Sequence, residues 1–137
     1  MKKINITSKI FIDGGDPEET RKAKKLMGFV DGQTTNPTLI SQNPEIKKRI
    51  EKGEKLNREE ANLFYKKVVA KIAEITSGPI SVEVLANKET SAKEMFEEAK
   101  EKAKWAPNIY IKLPIAKQGL VAAQQLICLL YTSDAAD

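Results

Sequence analysis

Apolar positions along this chain follow two different periods. Four short runs are apolar at alternate or nearly all positions: KIFID (Lys9 to Asp13), FVDGQTTNP (Phe29 to Pro37), ISVEVLA (Ile80 to Ala86) and IYIKLPI (Ile109 to Ile115). Each reads as a strand. Between them, apolar residues recur every three or four positions, as on a helix with one buried face. Asp16, Pro17 and Glu19 predict a capped helix start; Ala23, Leu26 and Met27 form its apolar face and Gly28 stops it. Asn57 and Glu60 predict a capping box for a long helix carrying Ala61, Phe64, Tyr65, Val68, Ile72 and Ile75, closed by Gly78. Ser91 and Glu94 do the same for a helix whose apolar face is Met95, Phe96, Ala99 and Ala103. QGLVAAQQLI begins a fourth helix, and the polar stretch 41–56 reads as loop with a short helix at PEIKKRIEKG.

The resulting order is βαβαβαβα. Strands alternating with amphipathic helices make a parallel sheet with right-handed crossovers. An open doubly wound sheet and a (β/α)8 barrel both start this way. No G-x-G-x-x-G or P-loop pattern is present, which counts against the nucleotide-binding open sheets.

Side chains alternate sides along a strand, so each run has two faces. Ile109, Ile111, Leu113 and Ile115 share one face of the last strand; Tyr110, Lys112 and Pro114 share the other. The third strand sets Ile80, Val82 and Val84 against Ser81, Glu83 and Leu85, and the first sets Ile10 and Ile12 against Phe11 and Asp13. One face is therefore read as purely aliphatic and suited to helix packing. The other carries Asp13, Glu83 and Lys112, one ionisable residue per strand, with Thr34 and Asn36 as the polar set of the second strand. In a parallel barrel this face points inward, and active sites form at the C-terminal ends of the strands. A buried Lys–Glu pair would be the structural explanation for one such strand. Three strands agreeing in direction and depth predict a catalytic cluster instead.

Composition narrows the chemistry. The chain of 137 residues has no histidine and one cysteine, which removes histidine acid–base catalysis, histidine-ligated metals, internal disulfides and cysteine-cluster metal sites. The net charge of +4 comes from lysines interleaved with glutamates, as in EEAKEKAK, a pattern of solvated helix faces rather than a nucleic-acid surface. No apolar run is long enough for a bilayer, and MKKINITSKIF lacks a signal-peptide core, so no membrane partner and a cytoplasmic location are expected. A lysine in an apolar pocket loses its proton more readily and becomes a nucleophile toward carbonyls. The Schiff base it forms is an electron sink for breaking or making an adjacent C–C bond. Glu83 and Asp13 are available as proton carriers, and Asn36 can hold substrate hydroxyls without titrating. The chemistry needs neither cofactor nor metal, and describes a class I aldolase or ketol transferase.

The closing stretch CLLYTSDAAD, Cys128 to Asp137, is read differently. It resembles, at all ten positions, the translation of a transposon-library sequencing adapter, and does not continue the preceding helical pattern. Such a segment is set aside from fold reasoning. The expectation is then that residues 1–127 are the N-terminal part of a barrel domain in a longer protein, and that the tail and its cysteine are artefactual.

FIDGGDPEETRKAKKLMGFVDGQTTNPTLI, ISVEVLA and IYIKLPIAKQGLVAAQQL together resemble the transaldolase family over residues 9–127. DGQTTNPTLI is the most specific element, close to the family pattern DGxTTNPSLI. The resemblance implies the first half, (β/α)4, of a transaldolase-type (β/α)8 barrel acting on sugar phosphates in the pentose phosphate pathway. It implies Lys112 as the Schiff-base lysine, Glu83 as the acid–base glutamate, Asp13 as the base for the sugar hydroxyl, and Asn36 and Thr34 as substrate-holding residues. Related fructose-6-phosphate aldolases tend to carry glutamine where Glu83 stands, so the glutamate favours transfer over simple cleavage. Gly14 and Gly15 depart from the Thr and Ala or Ser of many members. The family's phosphate-binding arginines fall beyond Ile127, and Arg21, Arg49 and Arg58 do not read as a phosphate clamp. Sugar phosphates are thus the expected partners, with a homo-oligomer as the protein partnership entertained. Four strands cannot close a barrel, so open edges, a lumen facing water and an inactive isolated chain are expected.

Overall fold

Four strands pair in chain order into one parallel sheet: β1 (Phe11–Asp13), β2 (Gly32–Thr34), β3 (Ile80–Glu83) and β4 (Ile109–Lys112). The computed structural model describes residues 8–134; the first seven residues and the last three of the tail, Ala135 to Asp137, lie outside the described residues. Helices α1 (Pro17–Met27), α2 (Pro37–Ser41), α3 (Pro44–Glu51), α4 (Arg58–Ala73), α5 (Ala92–Ala103) and α6 (Lys117–Asp134) connect and follow the strands. This is the arrangement of four consecutive βα units of a (β/α)8 barrel, with β1 and β4 as the outer strands. No helix among the described residues is long and apolar enough to cross a membrane.

The predicted caps form for the reasons the sequence implies. Asn57 with Glu60 and Ser91 with Glu94 make reciprocal capping boxes at α4 and α5. At α1 the expected box is a cap alone, because Asp16 accepts from the Glu18 N–H rather than from Glu19. Gly28 ends α1 in the left-handed conformation that glycine adopts without steric penalty. Gly78 does not close α4, which ends at Ala73 with Glu74 as its cap. Gly78 is needed for contact instead: a Cβ there would meet the Asp31 carbonyl oxygen at 1.8 Å.

The strands are shorter than their apolar runs. Pro37, which has no N–H to donate, opens α2, a helix the sequence reading missed, and so pulls the chain out of the sheet after β2. The core lies on the helix side. Phe64, Tyr65, Val68, Val69 and Ile72 of α4 pack on Ile80 and Val82 of β3. Each such side chain contributes about 1.5–3 kcal/mol of hydrophobic stabilisation. A second cluster joins Val84 to Met95 and Ala99 of α5 and Ala122 of α6.

Three expectations about this layer are overturned. The helix-facing side of the sheet is not purely aliphatic: Gln33 of β2 is fully buried there. Its amide donates to the Gly14 carbonyl at 2.9 Å and accepts from the Thr20 hydroxyl at 2.7 Å, so its polarity is satisfied. On α5 the buried residue is Lys102, not Ala103, which is exposed. And α6 runs on from Gln118 through Cys128 to Asp134, across most of the stretch expected to leave the helix. No glycine or proline interrupts it after Gly119, and its alanines, glutamines and leucines are strong helix formers.

Candidate active site

The five residues singled out from the sequence all lie at or beyond the C-terminal ends of the strands. Register places Asp13 opposite Thr34, Thr34 opposite Ser81, Ser81 opposite Tyr110, and Glu83 opposite Lys112. Directly paired residues of parallel strands point to the same side, so Asp13, Thr34, Glu83 and Lys112 do share the face turned away from the helix-packed core. They do not share one depth. Asp13 is level with Tyr110, two residues and about 6.6 Å short of the Glu83–Lys112 level.

Two pairs result. Lys112 Nζ lies 3.2 Å from Glu83 Oε2. The Thr34 hydroxyl donates to Asp13 Oδ1 at 2.6 Å. Asn36 joins neither pair. It is the N-cap of α2, with Oδ1 accepting the Leu39 N–H at 2.8 Å, which leaves its amide NH2 group unused by the cap. A cavity of about 750 Å³ beyond β2 and β3 is lined by Asn36, Leu39, Arg58, Glu83, Leu85 and Asn87, so Asn36 and Glu83 border a common space. Asp13 borders a different cavity of about 300 Å³, with Gly14, Gly15 and Lys47. Asp13 and Lys112 stand on the two outer strands, three strand spacings or about 14 Å apart along the sheet.

Lys112 is not the buried ammonium that its apolar run suggests. Its side chain is 53% exposed and that of Glu83 is 26% exposed. The inward face is open to solvent, as expected for four strands. Inward-facing Phe11, Asp13, Tyr110 and Lys112 are all exposed.

The loop beyond Asp13 is tightly built. The Gly14 N–H donates to the Thr34 carbonyl at 3.2 Å, and Asn43 of the α3 cap donates to the Gly15 carbonyl at 2.8 Å. A Cβ on Gly15 would meet the Leu39 carbonyl oxygen at 2.5 Å, so the glycine admits α2 against this loop.

With this geometry in hand, the likeness to known proteins is direct. Residues 10–128 match the family model described as Transaldolase/Fructose-6-phosphate aldolase. The chain belongs to that family. It is 39% identical over 118 residues to a protein named "Probable transaldolase" from Streptococcus agalactiae serotype V, covering 86% of this chain and 45% of that protein. Proteins of the same name from Herpetosiphon aurantiacus and Clostridium tetani are 39% and 40% identical over the same length, with 43% and 45% of them covered. The chain thus spans about half the length of the curated relatives it matches.

Sequence reading missed the residues of this transaldolase-family chain that hold the site from behind. The Glu83 N–H donates to the Tyr65 hydroxyl at 3.1 Å, and Tyr65 pairs with the Thr35 hydroxyl at 2.7 Å. Thr35 Oγ1 in turn donates its one proton to the Ser81 carbonyl at 2.7 Å. Tyr65 must therefore donate to Thr35, and the chain of bonds runs one way, Glu83 to Tyr65 to Thr35 to Ser81. Tyr65 looks in sequence like any core residue at helical spacing. Its hydroxyl, pointing into the layer above β3, leaves no sequence signal. Arg21, Arg49 and Arg58 are each paired with a carboxylate, Glu18, Glu54 and Glu98 respectively.

Proposed function

We propose that this chain forms the first half of a transaldolase that transfers a dihydroxyacetone unit between sugar phosphates through a Schiff base on Lys112. The observation that carries the reading is the Lys112 amine at 3.2 Å from the Glu83 carboxylate, at the C-terminal ends of adjacent strands. In the proposed reaction the neutral Lys112 amine attacks the ketone carbon of the donor sugar phosphate. Glu83 passes protons as the carbinolamine forms and loses water, leaving an iminium. Asp13 takes the proton from the hydroxyl on the carbon beyond the bond to be cleaved. That oxygen becomes the aldehyde of the departing aldose, and the electron pair of the broken C–C bond moves into the enamine. The enamine then attacks the aldehyde of an acceptor sugar phosphate. The reverse steps return the water and free the amine. Thr34, bonded to Asp13, and the unused amide of Asn36 would hold substrate hydroxyls.

The half-exposed Lys112 and the open inward face support a further part of the proposal, that the 137-residue chain alone is inactive. The dry enclosure that favours a neutral amine would come from further strands. The last ten residues, nine of which lie beyond the family match, are read as adapter translation as part of the same proposal. Sequencing the gene past the codon for Ile127 in an uncontaminated clone tests that part.

The catalytic reading is tested in the complete enzyme expressed from that gene. Borohydride reduction in the presence of a ketose phosphate should fix a dihydroxyacetone adduct on Lys112, visible by peptide mass spectrometry. An adduct that survives Lys112→Ala would refute the assignment. A Schiff-base aldolase is the second reading, favoured by the family description itself, which spans both activities. Dominant release of free dihydroxyacetone when an acceptor aldehyde is present would select it over transfer.

A further inference from the structure

A group of polar side chains, from the buried Lys102 and Tyr65 to the exposed Arg58, gathers behind the C-terminal end of β3. Four side chains converge there, Arg58 and Tyr65 from α4 and Glu98 and Lys102 from α5. Each takes one main-chain group. Tyr65 accepts the Glu83 N–H at 3.1 Å, and Lys102 Nζ donates to the Glu83 carbonyl at 2.8 Å. Glu98 Oε1 accepts the Leu85 N–H at 2.8 Å, and Arg58 donates to the Leu85 carbonyl at 2.9 Å. The charged members also bind each other, Lys102 to Glu98 at 2.9 Å and Arg58 to Glu98 at 3.0 Å. The Lys102 ammonium lies 4.8 Å from the Tyr65 ring centre and 5.3 Å from that of Trp105.

This place in the sheet needs such a device. β2 has already left the ladder at Pro37, so β2 offers the main chain at Glu83 no partner on that side. An apolar side chain at position 102 would pack as well and would avoid the desolvation of an ammonium. Only a donor can grip the carbonyl. Fixing both the N–H and the C=O of one residue fixes its φ and ψ, and with them the direction of its Cβ.

We propose that Lys102 and Tyr65 are positioning residues, which grip both main-chain groups of Glu83 from behind the sheet and thereby aim its carboxylate at the Lys112 amine. The catalytic consequence rests on the role proposed above for Glu83; the grip itself does not. Two experiments separate them. In the complete enzyme, Lys102→Met and Tyr65→Phe should each slow borohydride trapping at Lys112 about tenfold with KM within twofold of the parent. In a Glu83→Ala background neither should slow it further, because the residues act through Glu83. Unchanged trapping, or an equal loss in the Glu83→Ala background, would overturn the proposal. In the 137-residue chain, amide hydrogen exchange reads the grip without any activity. Tyr65→Phe should speed exchange of the Glu83 amide at least tenfold more than it speeds that of the Val82 amide; equal acceleration of the two would overturn the grip. If the parent enzyme shows no adduct on Lys112, the functional reading fails, and the exchange result still decides the positioning. If Lys102→Met does not fold, Tyr65→Phe carries both tests.

Discussion

The two faces of this sheet hold two lysines ten residues apart, and they trade the places their sequence contexts suggest. Lys112 stands in an apolar run on the inward face, yet its side chain is half exposed. Lys102 stands in the charged run EEAKEKAK, yet it is about 1% exposed in the helix layer. Both reach the same residue. Lys112 meets the Glu83 carboxylate from the open face, and Lys102 holds the Glu83 carbonyl from the covered one. The difference separates two uses of an ammonium. On the open face solvent carries most of the charge, so the amine adds little to stability and is available for chemistry. In the covered layer the charge is tolerated because Glu98, a carbonyl and two aromatic rings surround it, and removing it would leave those partners unsatisfied.

The sharpest way to break this contrast is to remove each lysine and compare activity with stability. Lys112→Ala in the complete enzyme should lower turnover on the order of 10³-fold or more, because the covalent route proposed for Lys112 is lost. In the 137-residue chain the same change should leave urea-unfolding stability within about 0.5 kcal/mol. A large loss of stability there would mean the inward face is structural after all.

Lys102→Ala should behave in the opposite way. It removes one partner of a buried ion pair and leaves the Glu83 carbonyl without its donor, so stability should fall by about 2–4 kcal/mol in urea melts. A cost under about 0.5 kcal/mol would place Lys102 with the solvated surface lysines.

Tyr65→Phe sharpens the comparison further because it keeps the ring and its edge-to-face contact with Trp105, at 5.4 Å between centres. Only the hydroxyl link between Glu83 and Thr35 is lost. The expected loss is about 1–2 kcal/mol, read by the same melts.

The smallest effect is in pH. Burial pushes the Lys102 ammonium below the ordinary lysine pKa, against the opposing hydrogen bond that it donates to Glu98. Between that lowered value and the ordinary value near 10.4, the unfolded chain binds more protons than the folded one. The Lys102 contribution to stability therefore rises with pH across that window, by at most about 1.4 kcal/mol per pH unit. Tyr65 works the other way. Burial raises its pKa against the bonds to Thr35 and Glu83, so its contribution is lost as pH climbs through the window above about 10. Melts of the parent, Lys102→Met and Tyr65→Phe from pH 7 to 11 should show the stability penalty of Lys102→Met growing toward pH 10. A penalty that shrinks over that range would contradict the sign.

Much of the fold is legible in the sequence because its signals are local. Asn57 with Glu60, and Ser91 with Glu94, announce their helices through bonds spanning three residues. The alternation in IYIKLPI assigns Lys112 to its face whatever it packs against. Errors arise where a distant segment decides. Gly78 reads as a helix stop, but it serves the approach of Asp31. Ala103 reads as core, but the carbonyl of Glu83, on another element, draws Lys102 inward in its place. The common depth of Asp13, Glu83 and Lys112 fails for the same reason, since register between strands is set by pairing and not by position within a run.

Periodicity, caps and alternation were enough to determine a parallel α/β chain with Lys112, Glu83, Asp13, Thr34 and Asn36 toward the strand ends. These follow from side-chain size, backbone preference and alternation, which act within a few residues. Only the tertiary structure decided that the Lys112 amine lies against the Glu83 carboxylate, that Asp13 pairs with Thr34 two residues lower, and that Lys102, Tyr65, Glu98 and Arg58 hold the end of β3. Those outcomes depend on which main-chain groups remain unpaired once the sheet and helices have docked, and such groups are matched across space, by elements far apart in the chain.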